Sequence, residues 1–465
     1  MRLSARWAPI ALLLLVPLIS GAGMNGGAGS ADATAGSRQA PVPAPAPVPA
    51  PAPAPALVPA PAPVPAPAAT PVPVERSAEA IPGQYIVTLQ PAFTAATVVR
   101  QLGVKPRFTY GTVVRGFAAA LTEDQLRAVR AFPGVQAIEE NARISVGSPL
   151  AAEATPGMTP GATPGTAAGA TPGTAPGATP EGPEERVVRS VRAASWGLDR
   201  IDQRNLPLDS EFTVTGTGRG VTAYIVDTGI ETAHSEFGGR ATVGFDAVGD
   251  GRDGQDCNSH GTHVAGTTGG ATYGVARSVS LVSVRVLNCQ GQGDWAGVIA
   301  GLDWVAAHAR QPSVLNASIG GSSSAAVDSA VNAIADLGVL PVAAAGNESQ
   351  NACRVSPAGA AEAVAVGATD IQDREARFSN YGRCLTTYAP GVAIVSAKLG
   401  GGSSTLSGTS MASPHVAGVA ALLKEKYPTA SPAELTRRLI SSSTKDVIRP
   451  ISTASPNRLL HTDGL

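Results

Sequence analysis

Five short apolar runs mark the second half of the chain, and each ends in small residues. In order they are GVTAYIVDTG, LVSVRVLN, PSVLNASIG, GVLPVAAAG and AVAVGAT. Segments with helical periodicity lie between several of them, for example WAGVIAGLDWVAAHA and AAVDSAVNAIADLG. Strands that are apolar on both faces and alternate with helices are typical of a parallel sheet covered by helices. The pattern predicts a three-layer α/β domain over residues 188–465, with functional groups just beyond the carboxyl ends of its strands.

A shorter ordered pattern occupies residues 81–147. The run QYIVTL alternates as a strand does, and VQAIEE is typical of a second strand. Between them, TEDQLRAVRAF places Thr122 as a helix cap before apolar residues at helical spacing. These residues therefore predict a small α/β domain.

Two stretches of biased composition separate and precede these domains. Residues 25–80 are predicted to be a spacer, because in residues 41–74 proline alternates with alanine and valine, which favours a stiff polyproline II conformation without a fold. Residues 148–187 contain imperfect GATPGTA repeats, a composition typical of a disordered linker that proteases can reach.

The first 24 residues have the layout of a secretory signal peptide. Arg2 and Arg6 precede the apolar run APIALLLLVPLIS and the small residues GAG. The apolar run is short for a membrane span, although a retained N-terminal anchor is the alternative interpretation. We therefore expect a secreted, extracellular protein with no stable membrane span.

Charge and cysteine content narrow the function further. The net charge is −1 with 15% charged residues, which gives no electrostatic reason to expect a nucleic acid partner. Four cysteines in an exported protein suggest disulfides, and three pairings are possible. Spacing favours the two local pairs, Cys257 with Cys289 and Cys353 with Cys384. A zinc site is the rival interpretation, but the chain has no CxxC pair.

The stretch SGTSMASPHVAG, residues 407–418, raises the question of a nucleophile and its base. Ser410 precedes His415 by five positions, and five positions along a helix turn one side chain well away from the other. We therefore assign His415 a packing role and expect Pro414 to be tolerated because it falls in the first helical turn. His308 and His461 are expected to be solvated.

The better candidate for a base is His260 in NSHGTHVAG, because a helix can begin there and project this side chain into a cleft. His263, one turn further on, is expected to pack inside that helix. Upstream, YIVDTG ends an apolar strand with Asp227, and a carboxylate at a strand end can orient a neutral histidine. The alternative for Asp227 alone is a turn cap.

Together, YIVDTG, SHGTHVAG and GTSMASPHVAG resemble, in this order, the motifs of the subtilisin-like serine proteases. The resemblance implies that Ser410 is the nucleophile, His260 the base and Asp227 the group that orients the base, with an acyl-enzyme intermediate and no catalytic cofactor. The absence of GxSxG argues against a lipase-type hydrolase. A catalytically dead binding protein and a wall-associated spacer protein are the rival functions.

The resemblance covers residues from about 190 to 465 and is greatest to the proteinase K subfamily, especially to aqualysin-type enzymes. WGLDRIDQRNLPLDS, EFGGRA, DCNSHGTHVAG, RFSNYG and SPNRLL carry it. In that group, disulfides match Cys257–Cys289 and Cys353–Cys384. Ser259 stands where the nearest relatives have glycine.

The same resemblance implies an oxyanion hole and a substrate cleft. Asn347 in AAAGNES aligns with the asparagine that stabilises the oxyanion, and the Ser410 backbone N–H is the second donor. Two glycine-rich edges are expected to pair with an extended peptide. The residues predicted to bind substrate are Gly291, Gly293, Trp295, Ser318, Gly320, Gly321, Ala345 and Gly346. Small residues around the primary pocket predict a bulky apolar substrate side chain there.

A structural calcium ion is expected in the segment DRIDQRNLPLDSE. Its oxygen-bearing side chains suit a hard cation, and related enzymes bind calcium at matching positions. The predicted ligands are Asp199, Asp202, Gln203, Asp209 and Glu211. A merely solvated acidic loop is the alternative. A second calcium site of proteinase K is expected to be missing, because Thr386 replaces its aspartate.

Residues 81–147 resemble the inhibitory propeptide of these proteases, a small ferredoxin-like α/β domain. Its last segment, ENARISVG, is then expected to lie in the substrate cleft as an added strand. Self-processing between about residues 147 and 195 would release the protease. The expected partners are protein and peptide substrates and the chain's own propeptide, and we expect a monomer.

Overall fold

A computed structural model of the chain describes residues 70–146 and 189–465. The predicted signal peptide, nearly all of the proline-rich spacer and the GATPGTA linker lie outside the described residues. Within the described ranges, no helix combines the length and the apolar character that crossing a bilayer requires.

The N-terminal domain alternates strands and helices in the order β2–α1–β3–β4–α2–β5, preceded by a short strand β1. The elements are β1 (Val74–Glu75), β2 (Ala80–Leu89), α1 (Ala95–Gln101), β3 (Phe108–Tyr110), β4 (Gly116–Ala120), α2 (Glu123–Ala131) and β5 (Val135–Ser145). The sheet order is β1-β5-β2-β4-β3, and β2 is antiparallel to both of its neighbours. This is the predicted ferredoxin-like arrangement. Thr122 caps α2 in a capping box with Gln125.

The ordered part of this domain begins before residue 81, inside the range 25–80 that we predicted to be a disordered spacer. Val74 and Glu75 pair in parallel with Ile138 and Glu139 of β5. Val72 and Val74 pack against the hydrophobic core of the domain. This strand could not be predicted from the sequence, because its alternating Val and Pro residues have the same composition as the spacer.

The C-terminal domain contains the remaining elements. Its strands are β6 (Arg189–Arg192), β7 (Glu211–Val214), β8 (Thr222–Asp227), β9 (Ala241–Asp246), β10 (Ser280–Arg285), β11 (Gln292–Asp294), β12 (Ser313–Ala317), β13 (Gly321–Ser322), β14 (Leu340–Ala344), β15 (Val355–Ser356), β16 (Val364–Thr369), β17 (Thr387–Pro390), β18 (Ile394–Ala397), β19 (Ser403–Leu406), β20 (Thr444–Lys445) and β21 (Arg458–Leu459). Its helices are α3 (Trp196–Asp202), α4 (His260–Gly269), α5 (Trp295–His308), α6 (Ala325–Asp336), α7 (Thr409–Lys426) and α8 (Pro432–Ser442).

Nine of these strands form one sheet in the order β20-β21-β17-β16-β14-β12-β8-β10-β9. Every neighbouring pair in it is parallel except β20 with β21. Helices α4 and α7 pack in the hydrophobic core on one face, and α5 and α6 pack in the core on the other. The structure confirms the predicted three-layer α/β class, and buried strands such as β12 and β14 explain the continuous apolar runs.

Candidate active site

The predicted catalytic side chains lie at the edge of the large sheet where its parallel strands end. Asp227 is the last residue of β8, which lies between β12 and β10 in the sheet. Asn347 lies three residues after β14 ends. His260 is the first residue of α4, and Ser410 is the second residue of α7. The switch from strand to loop or helix therefore delivers each group to the same edge of the sheet.

Asp227 and His260 form a buried hydrogen-bonded pair. His260 Nδ1 donates to Asp227 Oδ1 at 2.7 Å, and the Thr228 backbone N–H donates to the same oxygen at 2.7 Å. Neither side chain is more than 6% exposed. Because a carboxylate can only accept, it fixes the imidazole tautomer and leaves Nε2 with a free lone pair.

The pKa of His260 is raised above the ordinary imidazole value by its carboxylate neighbours. Burial alone lowers the pKa, but the charge and hydrogen bond of Asp227 outweigh burial, and the charge of Asp256 adds to them. A basic imidazole that is held in one tautomer is suited to accept a proton from a hydroxyl group.

Ser410 is 5% exposed, and its hydroxyl donates to the backbone oxygen of Ser318 at 3.1 Å. Among the described residues, no hydrogen bond joins Ser410 Oγ to His260 Nε2. Such bonds often tighten only when a substrate is bound. In this structure the Ser410 hydroxyl is therefore bonded to the Ser318 carbonyl and not to the predicted base.

Pro414 lies one turn deeper in α7 than we predicted, because the helix begins at Thr409. Proline at this position cannot donate to the carbonyl oxygen of Ser410, four residues earlier. The Ser318 hydroxyl donates to that oxygen instead, at 2.9 Å. The proline is tolerated because a side chain of the neighbouring strand end replaces the missing backbone donor.

Asn347 is held by a residue that the sequence did not single out. Its Oδ1 accepts from the backbone N–H and from the hydroxyl of Thr409, both at 2.9 Å. Thr409 in turn accepts from the Gly346 N–H at 3.1 Å. These bonds occupy the amide oxygen and leave the Asn347 NH₂ group for a ligand. Thr409 precedes the predicted nucleophile directly, which was the available signal.

Only glycine fits at position 346, because of the backbone conformation there and because a neighbouring side chain leaves no room for a Cβ atom. Its φ is +99°, and a Cβ at this position would lie 2.3 Å from Asn380 Nδ2. The same Asn380 group donates to the Ala345 carbonyl oxygen at 2.8 Å. The predicted pocket residues Ala345 and Gly346 are thus fixed from behind by one asparagine.

The other histidines do not belong to the predicted triad of Asp227, His260 and Ser410, and each is either buried or on the surface. His263 Nε2–H donates to the carbonyl oxygens of Ile394 and Ser404, and burial lowers the pKa of His263 to about 3. His415 Nδ1 bonds the Met411 carbonyl at 2.9 Å, and burial lowers its pKa to about 4. These packing roles agree with our assignment.

His308 is exposed and stacks on Trp304, as expected for a surface residue. The prediction that His461 is solvated is wrong, because its side chain is only 8% exposed. The chain end folds back onto α3, where Thr462 N donates to the Ile201 carbonyl oxygen at 2.7 Å. Proximity to a chain end therefore did not indicate exposure.

A cleft of about 1190 Å³ is lined by Ser410, Asn347 and Thr409 together with residues of both domains. The end of β5 pairs antiparallel with β11, and Ile144 lies opposite Gly293. Val146 N then donates to the Gly291 carbonyl oxygen at 3.0 Å. The segment ENARISVG thus adds a strand to the first of the two predicted substrate edges, up to residue 146.

The second predicted substrate edge, Ser318 to Gly321, lies against the Ile144 side chain of β5. A Cβ on Gly321 would lie 2.9 Å from Ile144 Cγ2 and 2.9 Å from the Trp295 ring. Trp295 is buried, and its Nε1 donates to the Ser322 carbonyl oxygen at 3.0 Å. Among the described residues, no backbone hydrogen bond joins β5 to Ser318 or Gly320. Trp295 and Gly321 therefore border the space that Ile144 fills.

Further contacts between the two domains were not foreseen. Glu139 accepts from Ser324 Oγ at 2.6 Å and from Ala326 N at 2.8 Å, at the start of α6. Asn141 accepts from Ala296 N at 3.0 Å, at the start of α5. Two side chains two positions apart on one strand thus cap two neighbouring helices. The only sequence signal was that Glu139 and Asn141 lie two positions apart in β5, and therefore on one face of the strand.

The predicted calcium ligands partly converge. Asp199 accepts from the Asp209 and Ser210 N–H groups, and Gln203 accepts from Asp209 N. Burial raises the pKa of Asp202 to about 6, and the charges of Asp199 and Asp209 contribute. Glu211 instead accepts from Ser190 Oγ, and no contact joins its side chain to the other four residues.

One buried oxygen in this segment has no partner. Asp202 Oδ2 accepts from Thr213 N at 2.6 Å, whereas no hydrogen bond reaches Oδ1 within the described part of the chain. An orphaned carboxylate oxygen among further acidic side chains fits a hard cation. Among the described residues, the one group of three His, Cys, Asp or Glu side chains whose ligand atoms all lie within 4.8 Å of one another is elsewhere, at Asp250, Cys257 and Cys289, and its two cysteines are bonded to each other.

The four cysteines form the two local pairs that their spacing favours. Cys257 is bonded to Cys289, and Cys353 is bonded to Cys384. The first bond joins the loop before His260 to the loop before Gly291. It therefore ties the predicted base to the edge that pairs with β5.

Comparisons with known proteins agree with this architecture. The sequence profile of the Subtilase family matches residues 218–464, and that of Peptidase inhibitor I9 matches residues 102–146. The chain is 41% identical over 411 residues to an extracellular serine proteinase of Thermus sp. (strain Rt41A), covering 83% of this chain and 90% of that protein. It is 41% identical over 398 residues to alkaline serine exoprotease A of Vibrio alginolyticus, covering 82% and 68%.

Among solved structures, a cold adapted subtilisin-like serine proteinase matches with a TM-score of 0.57 and 50% identity, over 58% of this chain and 99% of that one. The matched family region contains Asp227, His260, Asn347 and Ser410, and the inhibitor match contains the strand that lies in the cleft. The chain belongs to the subtilase family of serine peptidases and carries an inhibitor I9 propeptide.

Proposed function

We propose that Ser410, His260 and Asp227 carry out peptide-bond hydrolysis in this serine endopeptidase. The observation that supports the proposal most directly is the buried 2.7 Å bond from His260 Nδ1 to Asp227, together with the position of Ser410 at the start of α7, which packs against α4. Ser410 Oγ attacks the scissile carbonyl while His260 Nε2 takes its proton. The imidazole then returns that proton to the leaving amine, and water releases the acyl group by the same route.

The oxyanion formed in each step is stabilised by two donors. One is the Asn347 NH₂ group, whose amide oxygen is held by Thr409. The other is the Ser410 backbone N–H, which belongs to the first turn of α7 and therefore has no helical acceptor. Donors held in place before the reaction stabilise the developing charge without reorganisation.

The substrate is a polypeptide that adds a strand to β11, as β5 does in the precursor. Backbone pairing accepts many sequences, so the side-chain pockets set the preference. Small residues around the primary pocket, including Ala345, Gly346 and Gly320, leave room for a bulky apolar side chain. We place the enzyme in the proteinase K subfamily near the aqualysin-type enzymes, and we expect it to be a monomer. We expect it to be secreted, since both bacterial relatives named above are described as extracellular or exoproteases.

A fluorophosphonate probe tests the assignment of the nucleophile. We expect one covalent label, located on Ser410 by peptide mass spectrometry. The labelling rate should fall as the pH drops through the raised pKa of His260, because only the neutral imidazole can take the serine proton. Absence of label on Ser410 from the processed enzyme would exclude the proposed mechanism.

We further propose that Asp199, Asp202, Gln203 and Asp209 hold a structural calcium ion, with Glu211 joining only if its side chain leaves Ser190. The orphaned Asp202 oxygen supports this set. Bound calcium would cross-link α3 to the loop before β7, and it would have no part in the chemistry at Ser410.

Chelation of calcium should lower the thermal stability of the folded chain. A ligand present at 100 times its Kd stabilises by about 2.7 kcal/mol. For a domain of this size we expect EDTA to lower the melting temperature by about 5–10 °C. The Ser410→Ala chain is used so that self-digestion does not contribute. Asp202→Asn should abolish the response to EDTA, whereas Asp336→Asn, an exposed carboxylate on α6, should retain it. An unchanged melting temperature in EDTA would refute the calcium site.

A further inference from the structure

Asp294 lies where the cleft strand β11 ends and helix α5 begins, and its two carboxylate oxygens have different partners. Oδ1 accepts from the Gly297 N–H at 2.9 Å and so caps α5. Oδ2 forms an ion pair with Arg107 of the propeptide at 2.5 Å. The Asp294 side chain is 12% exposed in this state. One oxygen thus stabilises the start of α5, and the other binds the arginine side chain that is removed with the propeptide.

A second propeptide arginine lies opposite the same carboxylate. Asp294 pairs with Arg143 in the antiparallel ladder between β11 and β5. Directly opposed residues of such a ladder project on the same face, with Cβ atoms about 4.5–5.5 Å apart. A long basic side chain at the position of Arg143 can therefore reach Asp294 Oδ2 once Arg107 is gone.

Removal of the propeptide leaves this end of the cleft anionic. Among residues 189–465, no lysine, arginine or histidine forms an ion pair with Asp294. Asp303, further along α5, also loses its partners, because its carboxylate accepts from the backbone N–H groups of residues 111–113. The free enzyme thus exposes two carboxylates that the propeptide had satisfied.

We propose that Asp294 is a specificity-determining residue that selects a basic side chain in the substrate. The selected residue is the one that lies across β11 from Asp294, at the position that Arg143 takes in the precursor. This inference rests on the proposed use of β11 as the substrate edge. It adds a charge preference at a distance from the cleaved bond to the apolar preference of the primary pocket.

The expected size of the preference for a basic substrate residue follows from the exposure of its ion pair with Asp294 to solvent. An ion pair at a water-accessible site changes an equilibrium by a small factor, and salt screens it. We expect Arg to raise kcat/KM about twofold to fivefold over Ala at low ionic strength. Glu at the same position should lower kcat/KM by a similar factor.

The experiment uses the processed enzyme and a set of peptides that share one apolar residue before the cleaved bond. Alanine fills the other positions, and a single Arg is moved from the second to the seventh residue before that bond. We expect one position to give a maximum in kcat/KM, and the maximum to disappear in 1 M NaCl. A flat profile, or a maximum that persists in 1 M NaCl, would overturn the proposal.

Two variants with the same change in net charge distinguish an effect of Asp294 itself on the Arg maximum from an effect of the overall charge of the cleft. Asp294→Asn keeps a side chain that can cap α5 and should remove the Arg maximum. Asp303→Asn removes a carboxylate about 13 Å further along the same helix and should retain the maximum. Retention in Asp294→Asn would refute the proposal. Failure to cleave the all-alanine reference peptide would instead contradict the proposed function, so the two failures are distinguishable.

Discussion

Replacement of Ser410 by alanine should lower kcat by about a millionfold. In subtilisin, which belongs to the same family, removal of the nucleophilic serine costs about 2 × 10⁶ in kcat, and we adopt that magnitude here. The reason is that the alanine side chain has no hydroxyl group to attack the scissile carbonyl. The residual rate of about 10³–10⁴ over water would come from binding and the oxyanion hole. Steady-state hydrolysis of a peptide substrate by the purified variant measures the loss.

Two further variants make this expectation specific. Ser413→Ala removes a buried hydroxyl three residues along α7 that donates to Asn316. Its cost should appear as about 1 kcal/mol of stability and not as a loss of orders of magnitude in kcat. The double variant Ser410→Ala/His260→Ala should be no slower than Ser410→Ala, because the two groups act as one unit. A loss below a hundredfold in Ser410→Ala would contradict its role as the nucleophile.

The positions of the four candidate catalytic side chains in the fold could be predicted from the sequence, because each position follows from a local pattern. Asp227 ends an apolar strand, and Asn347 follows another, so the parallel sheet alone brings them to one edge. His260 and Ser410 each begin a helix, which the small residues around them indicated. Among these elements, the prediction for Pro414 was wrong, because it lies beyond the first turn of α7 and is tolerated there through a hydrogen bond from the distant Ser318 hydroxyl.

Contacts between segments distant in sequence were not predictable in the same way. Thr409 acts by holding Asn347, and no local pattern links the two positions. Glu139 and Asn141 cap helices more than 150 residues away, so their role exists only when the two domains are docked. Strand β1 is stabilised by β5 and by a shared core, while its own composition predicts a spacer.

The docked propeptide also explains why processing should depend on the chain's own nucleophile. Strand β5 lies along β11 with its carboxyl end directed into the cleft that Ser410 lines. Glu139 and Asn141 fix the domain on α5 and α6, so the strand is held in register. Val146, the last described residue of this segment, therefore lines the same cleft as Ser410, and an intramolecular cut beyond it would need no diffusional encounter.

We expect the Ser410→Ala precursor to remain uncut when it is produced in a protease-free host, whereas the parent chain is cut between about residues 147 and 195. Gel analysis and N-terminal sequencing of the products measure this. Addition of a trace of active enzyme to the variant should restore cleavage in the linker, which shows that the site is accessible and only the nucleophile is missing. A first cut of the parent that is intramolecular should have a rate independent of precursor concentration. If the Ser410→Ala chain is trimmed as fast as the parent, self-processing is wrong, because the cut must then come from another source.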